Sequence, residues 1–250
     1  MCAASCGKTE VTSDATATAA DSRSSADASA TYEPCPIGDP CRYMPLGDSL
    51  TEGYLGGYRV PLFHQVMQAG RTITFVGMQM NGPETVDGVA FPPNHEGHGG
   101  YYIDSTHSQY NIADLANATI AANQPHIIAL MIGTNDVSRS MFPDSAERLA
   151  LLLDQLTVAA PNALVVLAQI PPTQTDATNV YVEAYNAAMP AMVAARVAQG
   201  KHIVLVDMYT AFAAVPSYQS TLFVDNFHPN ASGDAILAEV FYTAVGPVLH

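Results

Sequence analysis

From Cys41 onward the chain alternates two kinds of segment, and this alternation constrains the fold more than any other feature. Short apolar runs rich in β-branched residues, at 42–46, 72–76, 127–132, 163–170 and 202–206, have the length and composition of buried strands. Between them lie longer stretches that suit helices, at 58–69, 110–123, 144–160, 180–199 and 232–245. Asp144 and Ser232 suit N-caps, and Gly70 and Gly200 suit helix stops. Strands that are apolar throughout, each followed by a helix, predict a parallel sheet covered on both faces. The expected fold is therefore α/β, a three-layer α/β/α sandwich around a five-stranded parallel sheet. In such sheets the functional groups gather beyond the carboxyl ends of the strands.

The chain has 250 residues, 48% of them hydrophobic, which is enough for one large domain with a full core, placed at residues 34–250. Its net charge of −14, with only 9 Lys and Arg, argues against nucleic acid or an anionic membrane surface as a partner, because both require basic patches. No apolar run reaches the ~20 residues of a membrane-spanning helix. Residues 1–33 are small, polar and aperiodic, and are expected to form a disordered tail. Met1-Cys2-Ala3-Ala4-Ser5-Cys6-Gly7 resembles the mature end of a bacterial lipoprotein, with Cys6 as the anchor; the other reading is a start with incidental cysteines. Cys35 and Cys41 bracket Pro36-Ile37-Gly38-Asp39-Pro40 and are expected to pair as a local disulfide, since no His or further Cys completes a metal site. A disulfide implies an oxidising compartment, and the chain is expected to be secreted or attached to the cell envelope.

The residues that follow the strands make a coherent set. Gly47-Asp48-Ser49-Leu50 follows the first, and a long loop containing His95-Glu96-Gly97-His98-Gly99-Gly100-Tyr101 follows the second. Gly133-Thr134-Asn135-Asp136 follows the third, and Asp225-Asn226-Phe227-His228-Pro229 precedes the last helix. Ser49 alone could be an ordinary helix start, and Asp48 an ordinary cap. Together the blocks hold the components of acyl transfer. A serine hydroxyl becomes a competent nucleophile when an imidazole takes its proton, and His228 is the expected base. Asp225 can accept from the other ring nitrogen, which sets the tautomer and stabilises the imidazolium. The backbone N–H of Ser49, an N–H of the Gly99-Gly100 pair and the Asn135 amide can receive the oxyanion. The order Ser, Asp, His, with the last two almost adjacent and no Gly-x-Ser-x-Gly elbow, disfavours the α/β-hydrolase fold.

The ordered blocks resemble the GDSL, or SGNH, hydrolase family over about residues 42–245. The resemblance implies a flavodoxin-like sheet and assigns the four signature residues to Ser49, Gly100, Asn135 and His228, with Asp225 as the acid. Gly56-Gly57-Tyr58-Arg59, Phe75-Val76-Gly77 and His95–Tyr101 are similar to the carbohydrate esterase family 3 subgroup, whose members remove acetyl groups from xylan and related sugars. Tyr101 stands where that subgroup often has Trp, and this chain has Trp 0. The resemblance implies a serine esterase acting on short acyl esters, with a small-molecule or polysaccharide substrate and no cofactor. The alternatives are a lysophospholipase, thioesterase or arylesterase with the same site, and a surface-tethered binding module on a dead hydrolase scaffold.

Some neighbouring residues have quieter expected roles. Asp48, besides holding its turn, and Tyr101 are expected at the substrate. His95 and His98 flank Glu96 without the spacing of a His-Glu-x-x-His zinc site and are read as loop-ordering or rim residues, not metal ligands. Arg59 is expected to anchor a carboxylate or a backbone carbonyl.

Overall fold

The computed structural model describes residues 32–250 together with Met1. The expected tail and its Cys6 anchor lie outside the described residues. A compact unit spans Glu33–His250. Its strands are β1 (Cys41–Gly47), β2 (Ile73–Phe75), β3 (Gln79–Met80), β4 (Thr85–Val86), β5 (Val89–Ala90), β6 (Asn94–Gly97), β7 (Ile127–Met131), β8 (Leu164–Gln169) and β9 (Ile203–Asp207). Its α-helices are α1 (Ser49–Glu52), α2 (Arg59–Gln68), α3 (Ala113–Asn123), α4 (Ser145–Ala159), α5 (Asp176–Val197), α6 (Met208–Ala213), α7 (Tyr218–Thr221) and α8 (Ala231–Val245).

The main sheet has the order β3-β6-β1-β7-β8-β9, with β2 also on β1, and all its pairs are parallel except β3 with β6. Every residue of β7 is buried, as a strand covered on both faces must be. Helix α2 packs with α8, while α3, α4 and α5 pack in a row, and β9 meets both α5 and α8. This is the layered α/β arrangement expected from the alternation of segments.

The expectation of five strands is corrected: the sheet has 7. One flank of β1 is shared. β2 pairs with its beginning, Cys41↔Ile73 to Tyr43↔Phe75, and β6 with its end, Leu46↔Glu96 and Gly47↔Gly97. The handover occurs at Gly77, where a Cβ would lie 2.3 Å from the His95 carbonyl group. The chain then enters β3, which pairs antiparallel with β6, and segment 81–93 leaves the sheet, carries the β4–β5 hairpin, and returns as β6. Arg59 ties this excursion down. Completely buried, it donates to the carbonyls of Glu52, Asn81 and Pro93, and to the Asn81 side chain. Burial lowers the guanidinium to about 10, against the opposing pull of Tyr58 and the Glu52 carboxylate, and carbonyl acceptors hold it in place.

One helix N-cap also differs from expectation. Asn230, not Ser232, caps α8, accepting from the N–H groups of Ser232 and Gly233. Asn is at least as good a cap as Ser, and its own amide donates to the Thr221 carbonyl at 2.8 Å, which fixes the approach to the helix. Asp144 is the N-cap residue of α4 as expected, its carbonyl accepting from the Arg148 N–H, while its carboxylate pairs with His107 and Arg148 and not with the helix N–H groups. Cys35 and Cys41 are joined as a disulfide where the chain enters β1.

Candidate active site

Ser49 owes its position to a forced turn. At the end of β1 a Cβ on Gly47 would lie 1.9 Å from the Met131 carbonyl oxygen, so only glycine lets the strand come this close to β7 before turning. Asp48 then caps α1, its Oδ1 accepting from the Leu50 N–H at 3.0 Å, and Ser49 becomes the first helical residue. Asp48 is wholly enclosed. This corrects the expectation that it meets substrate: no surface of it remains to do so. Burial pushes its carboxyl up to about 6, against the opposing pull of the Leu50 N–H and Thr134.

The residue that faces Ser49 comes from the loop ahead of α8. Pairing of Phe223 with Pro229, and a bond from the Val224 N–H to the His228 carbonyl, folds residues 223–229 back on themselves. At the tip, Asp225 Oδ1 accepts from the N–H groups of both Phe227 and His228 at 2.9 Å. Its Oδ2 lies 2.8 Å from His228 Nδ1, and His228 Nε2 lies 2.9 Å from Ser49 Oγ. Burial acts to raise the Asp225 carboxyl, but the two N–H groups and the imidazole outweigh it and hold it below the usual carboxylate range. Ser49, His228 and Asp225 thus form one continuous hydrogen-bonded chain.

Gly100 and Asn135 arrive on the strands flanking β1. β6 and β7 are its two neighbours at Gly47, so the residues just beyond Gly97, Gly47 and Met131 emerge side by side. The His98 N–H bonds to the Gly47 carbonyl at 2.9 Å, and the Tyr101 N–H closes a turn onto His98. Gly100 sits inside that turn at φ +79°, with nothing near a would-be Cβ, so backbone conformation and not crowding calls for glycine. Asn135 lies within a single π-type turn, Thr134–Arg139, and is buried. Its amide donates to the Tyr101 carbonyl at 2.9 Å, which fixes its plane and leaves its second hydrogen for another acceptor.

Tyr101 holds this wall together. Its ring stacks on His98 with centroids 4.8 Å apart and meets Tyr110 at 5.9 Å. His98 in turn bonds the buried Glu96, which also accepts from Thr119 Oγ1 at 2.6 Å and from the Met78 N–H. Burial acts to raise Glu96, and these donors bring it below the usual range. His95 is nearly fully buried, accepts from the Gly97 N–H at 3.0 Å, and is pushed down to about 3 by burial, so it is neutral. Among the described residues no group of His, Cys, Asp and Glu is arranged to hold a metal ion. Asp136 is also enclosed; it binds the Ile103 N–H and pairs with Arg148 at 2.6 Å, while burial lifts it to about 6.

A cavity of about 1030 Å³ opens beside Ser49 and His228. Its wall includes Glu52, Tyr54, His64 and Asp234, none of which stood out in the sequence. Gly100, Asn135 and Tyr101 are outside that wall.

The class defined by this fold and site has a match across most of the chain. The profile of the GDSL-like lipase/acylhydrolase family matches residues 46–236, and the chain belongs to that family. A multidomain esterase of Ruminococcus flavefaciens is 33% identical over 215 residues, 77% of this chain but only 27% of that protein, so the chain spans about a quarter of its relative. Among solved structures, the Clostridium thermocellum family 3 carbohydrate esterase is similar at 28% identity, with a TM-score of 0.70 over 84% of this chain and 98% of its own. A carbohydrate esterase family 3 protein from Talaromyces cellulolyticus is similar at 25% identity and TM-score 0.65, over 83% of this chain and 98% of its own.

Proposed function

We propose that this chain is a serine esterase that removes short acyl groups, acetyl in particular, from carbohydrate. The observation that carries the reading is the relay from Ser49 Oγ to His228 Nε2 at 2.9 Å and from His228 Nδ1 to Asp225 at 2.8 Å. Ser49 Oγ attacks the ester carbonyl carbon as His228 Nε2 takes its proton. The carbonyl oxygen becomes an oxyanion, received by the N–H groups of Ser49 and Gly100 and the unused amide hydrogen of Asn135. Collapse breaks the carbon–oxygen bond to the alcohol, which leaves with the proton from His228. Water then gives its proton to His228 and attacks the acyl carbon, the bond from that carbon to Ser49 Oγ breaks, and Ser49 takes the proton back from His228 as the carboxylic acid leaves.

The likeness to family 3 carbohydrate esterases supports the choice of sugar esters. The Cys35–Cys41 bridge supports a location outside the reducing cytosol, and among the described residues no helix is long and apolar enough to cross a membrane. The test is hydrolysis of p-nitrophenyl esters from acetyl to octanoyl, alongside acetate release from acetylated xylan. Hydrolysis abolished in Ser49→Ala and falling steeply beyond propionyl is the expected result. Activity that survives Ser49→Ala overturns the mechanism, and a preference for long acyl chains overturns the substrate.

A further inference from the structure

The cavity beside the relay says which half of the ester it accommodates. The leaving oxygen must collect a proton from His228 Nε2, so the alcohol must lie on the histidine side of Ser49. The carbonyl oxygen must face the opposite way, toward Gly100 and Asn135. The cavity wall contains Ser49, Asp225 and His228 and contains neither Gly100 nor Asn135. At about 1030 Å³ the cavity stands at the upper end of the ~300–1,000 Å³ range typical of small-molecule sites, far more than a simple alkyl alcohol needs. The acetyl group of the substrate proposed above would fill only a small part of such a space, so the cavity is assigned to the alcohol.

The wall chemistry narrows the alcohol further. Tyr54, Leu55 and Val224 are strongly exposed where they border the cavity, giving it an apolar rim. Its charged groups are the carboxylates Glu52, Asp225 and Asp234, with no Lys or Arg in the wall and only the His64 imidazole, paired with Asp87, as a further titrating side chain besides His228. Such a wall repels an anionic alcohol, whether a uronate or a phosphate-bearing headgroup. Asp234 is the telling residue. It sits half-buried in the first turn of α8, and its Oδ1 would lie 3.6 Å from a Cβ on Gly57. Among the described residues no group hydrogen-bonds its carboxyl, although burial has lifted it to about 7. A desolvated carboxyl without an internal partner is costly, and hydroxyl groups of a ligand would satisfy it.

Building on the esterase reading above, in which the leaving alcohol is a sugar, we propose that Asp234 is a specificity-determining residue of this cavity, selecting an uncharged polyol by hydrogen-bonding its hydroxyls. Glu52 borders the same space from the end of α1, and the apolar rim covers the ring carbons. Asp234 touches the part of the substrate that does not react, so its removal weakens sugar binding more than it slows acyl transfer.

The experiment uses three acetyl esters: acetylated methyl xyloside, its acetylated uronate counterpart and p-nitrophenyl acetate, which has no hydroxyls. Asp234→Leu, similar in volume and unable to hydrogen-bond, is expected to lower the kcat/KM ratio of xyloside over p-nitrophenyl acetate about tenfold, mainly through KM. Asp234→Asn, which keeps an acceptor, is expected to restore most of that ratio. The unsubstituted enzyme is expected to prefer xyloside over uronate at least tenfold. Binding of acetylated methyl xyloside to Ser49→Ala, measured by calorimetry, is expected to weaken about tenfold when Asp234→Leu is added. An unchanged ratio or unchanged binding overturns the assignment of Asp234, and a preference for the uronate overturns the assignment of the polyol. Ser49-dependent hydrolysis of p-nitrophenyl acetate with either of those results leaves the esterase standing and removes only this inference. Absence of Ser49-dependent hydrolysis removes the esterase reading and this inference with it.

Discussion

Replacing Asp225 separates two things its carboxylate does for His228. The first is charge. An imidazolium and a carboxylate at about 4 Å attract by ~1 kcal/mol in water and by ~4 kcal/mol at an effective dielectric of about 20. The side chains of His228 and Asp225 are 41% and 55% exposed, which places the pair near the low end of that range. Loss of charge alone should then cost roughly 1–2 kcal/mol, or about 5- to 30-fold in rate. The second is the tautomer. Because Oδ1 already accepts from the N–H groups of Phe227 and His228, an amide introduced by Asp225→Asn would put its oxygen there and its NH₂ in the Oδ2 place, 2.8 Å from His228 Nδ1. That NH₂ donates to Nδ1 and drives the ring proton to Nε2, where it faces Ser49 and blocks proton acceptance. The corresponding exchange in serine proteases costs about 10⁴ in kcat. Asp225→Ala loses the charge but leaves Nδ1 to water. The expected order is therefore unusual: the isosteric Asn variant is worse, down about 10³–10⁴ in kcat/KM on p-nitrophenyl acetate, and the Ala variant falls only about 10–10². Melting curves of both variants should accompany the rates, since Ala also forfeits the two backbone bonds, worth about 1 kcal/mol each. An Asn variant as active as the Ala variant would refute the tautomer argument.

Asn135→Ala should lower kcat about 10²–10³-fold on p-nitrophenyl acetate with little change in KM, since an oxyanion donor acts mainly in the transition state; an effect confined to KM would contradict that role. Asp48→Asn keeps the Oδ1 acceptor for Leu50 while removing a carboxyl lifted to about 6. A raised value means that the contribution of the native carboxyl is fully present below pH ~4 and lost as pH rises through ~6, by roughly 3 kcal/mol over the shift. Denaturant unfolding should therefore show the Asn variant gaining on the native protein between pH 4 and pH 8, and parallel curves would count against it. Gly97→Ala would place a Cβ 2.1 Å from the Glu52 N, against backbone that cannot yield. A loss of about 1–3 kcal/mol, with activity falling as α1 is displaced, is the expected outcome by chemical denaturation and rate measurement.

The parts legible in the sequence were those whose physics is local. Strands β1, β7, β8 and β9 are apolar along their length because helices cover both faces, and such runs are visible without coordinates. Ser49, Asn135 and His228 stood out because turn residues surround them just past strands or before a helix. Strand β6 was not legible as a strand. It reads Asn94-His95-Glu96-Gly97, with no apolar side chain, and its buried Glu96 is held by residues as distant as Thr119. No periodicity announces an element held together in that way. Asp48 illustrates the reverse problem, since a carboxylate beside a nucleophile looks available until the structure encloses it. Asp234 was invisible for a third reason. In sequence it is an ordinary acidic residue in the first turn of α8, and only the approach of residues 52–64 turns it toward a cavity.

The shared flank of β1 has an evolutionary consequence. Because β2 has already ended when β6 begins, segment 81–93 is an excursion that leaves from β3 and returns into β6, two strands paired with each other. Its β4–β5 hairpin reaches the alcohol cavity through Val86, yet the hairpin forms a sheet of its own. Between Asn81 and Pro93, whose carbonyls Arg59 holds, the hairpin can thus be lengthened, shortened or exchanged among descendants without shifting β6, and hence without moving Gly100 relative to Ser49. The chain behaves as a fixed engine with an interchangeable nozzle, and selection can retune the alcohol it accepts while the acyl-transfer chemistry stays in place.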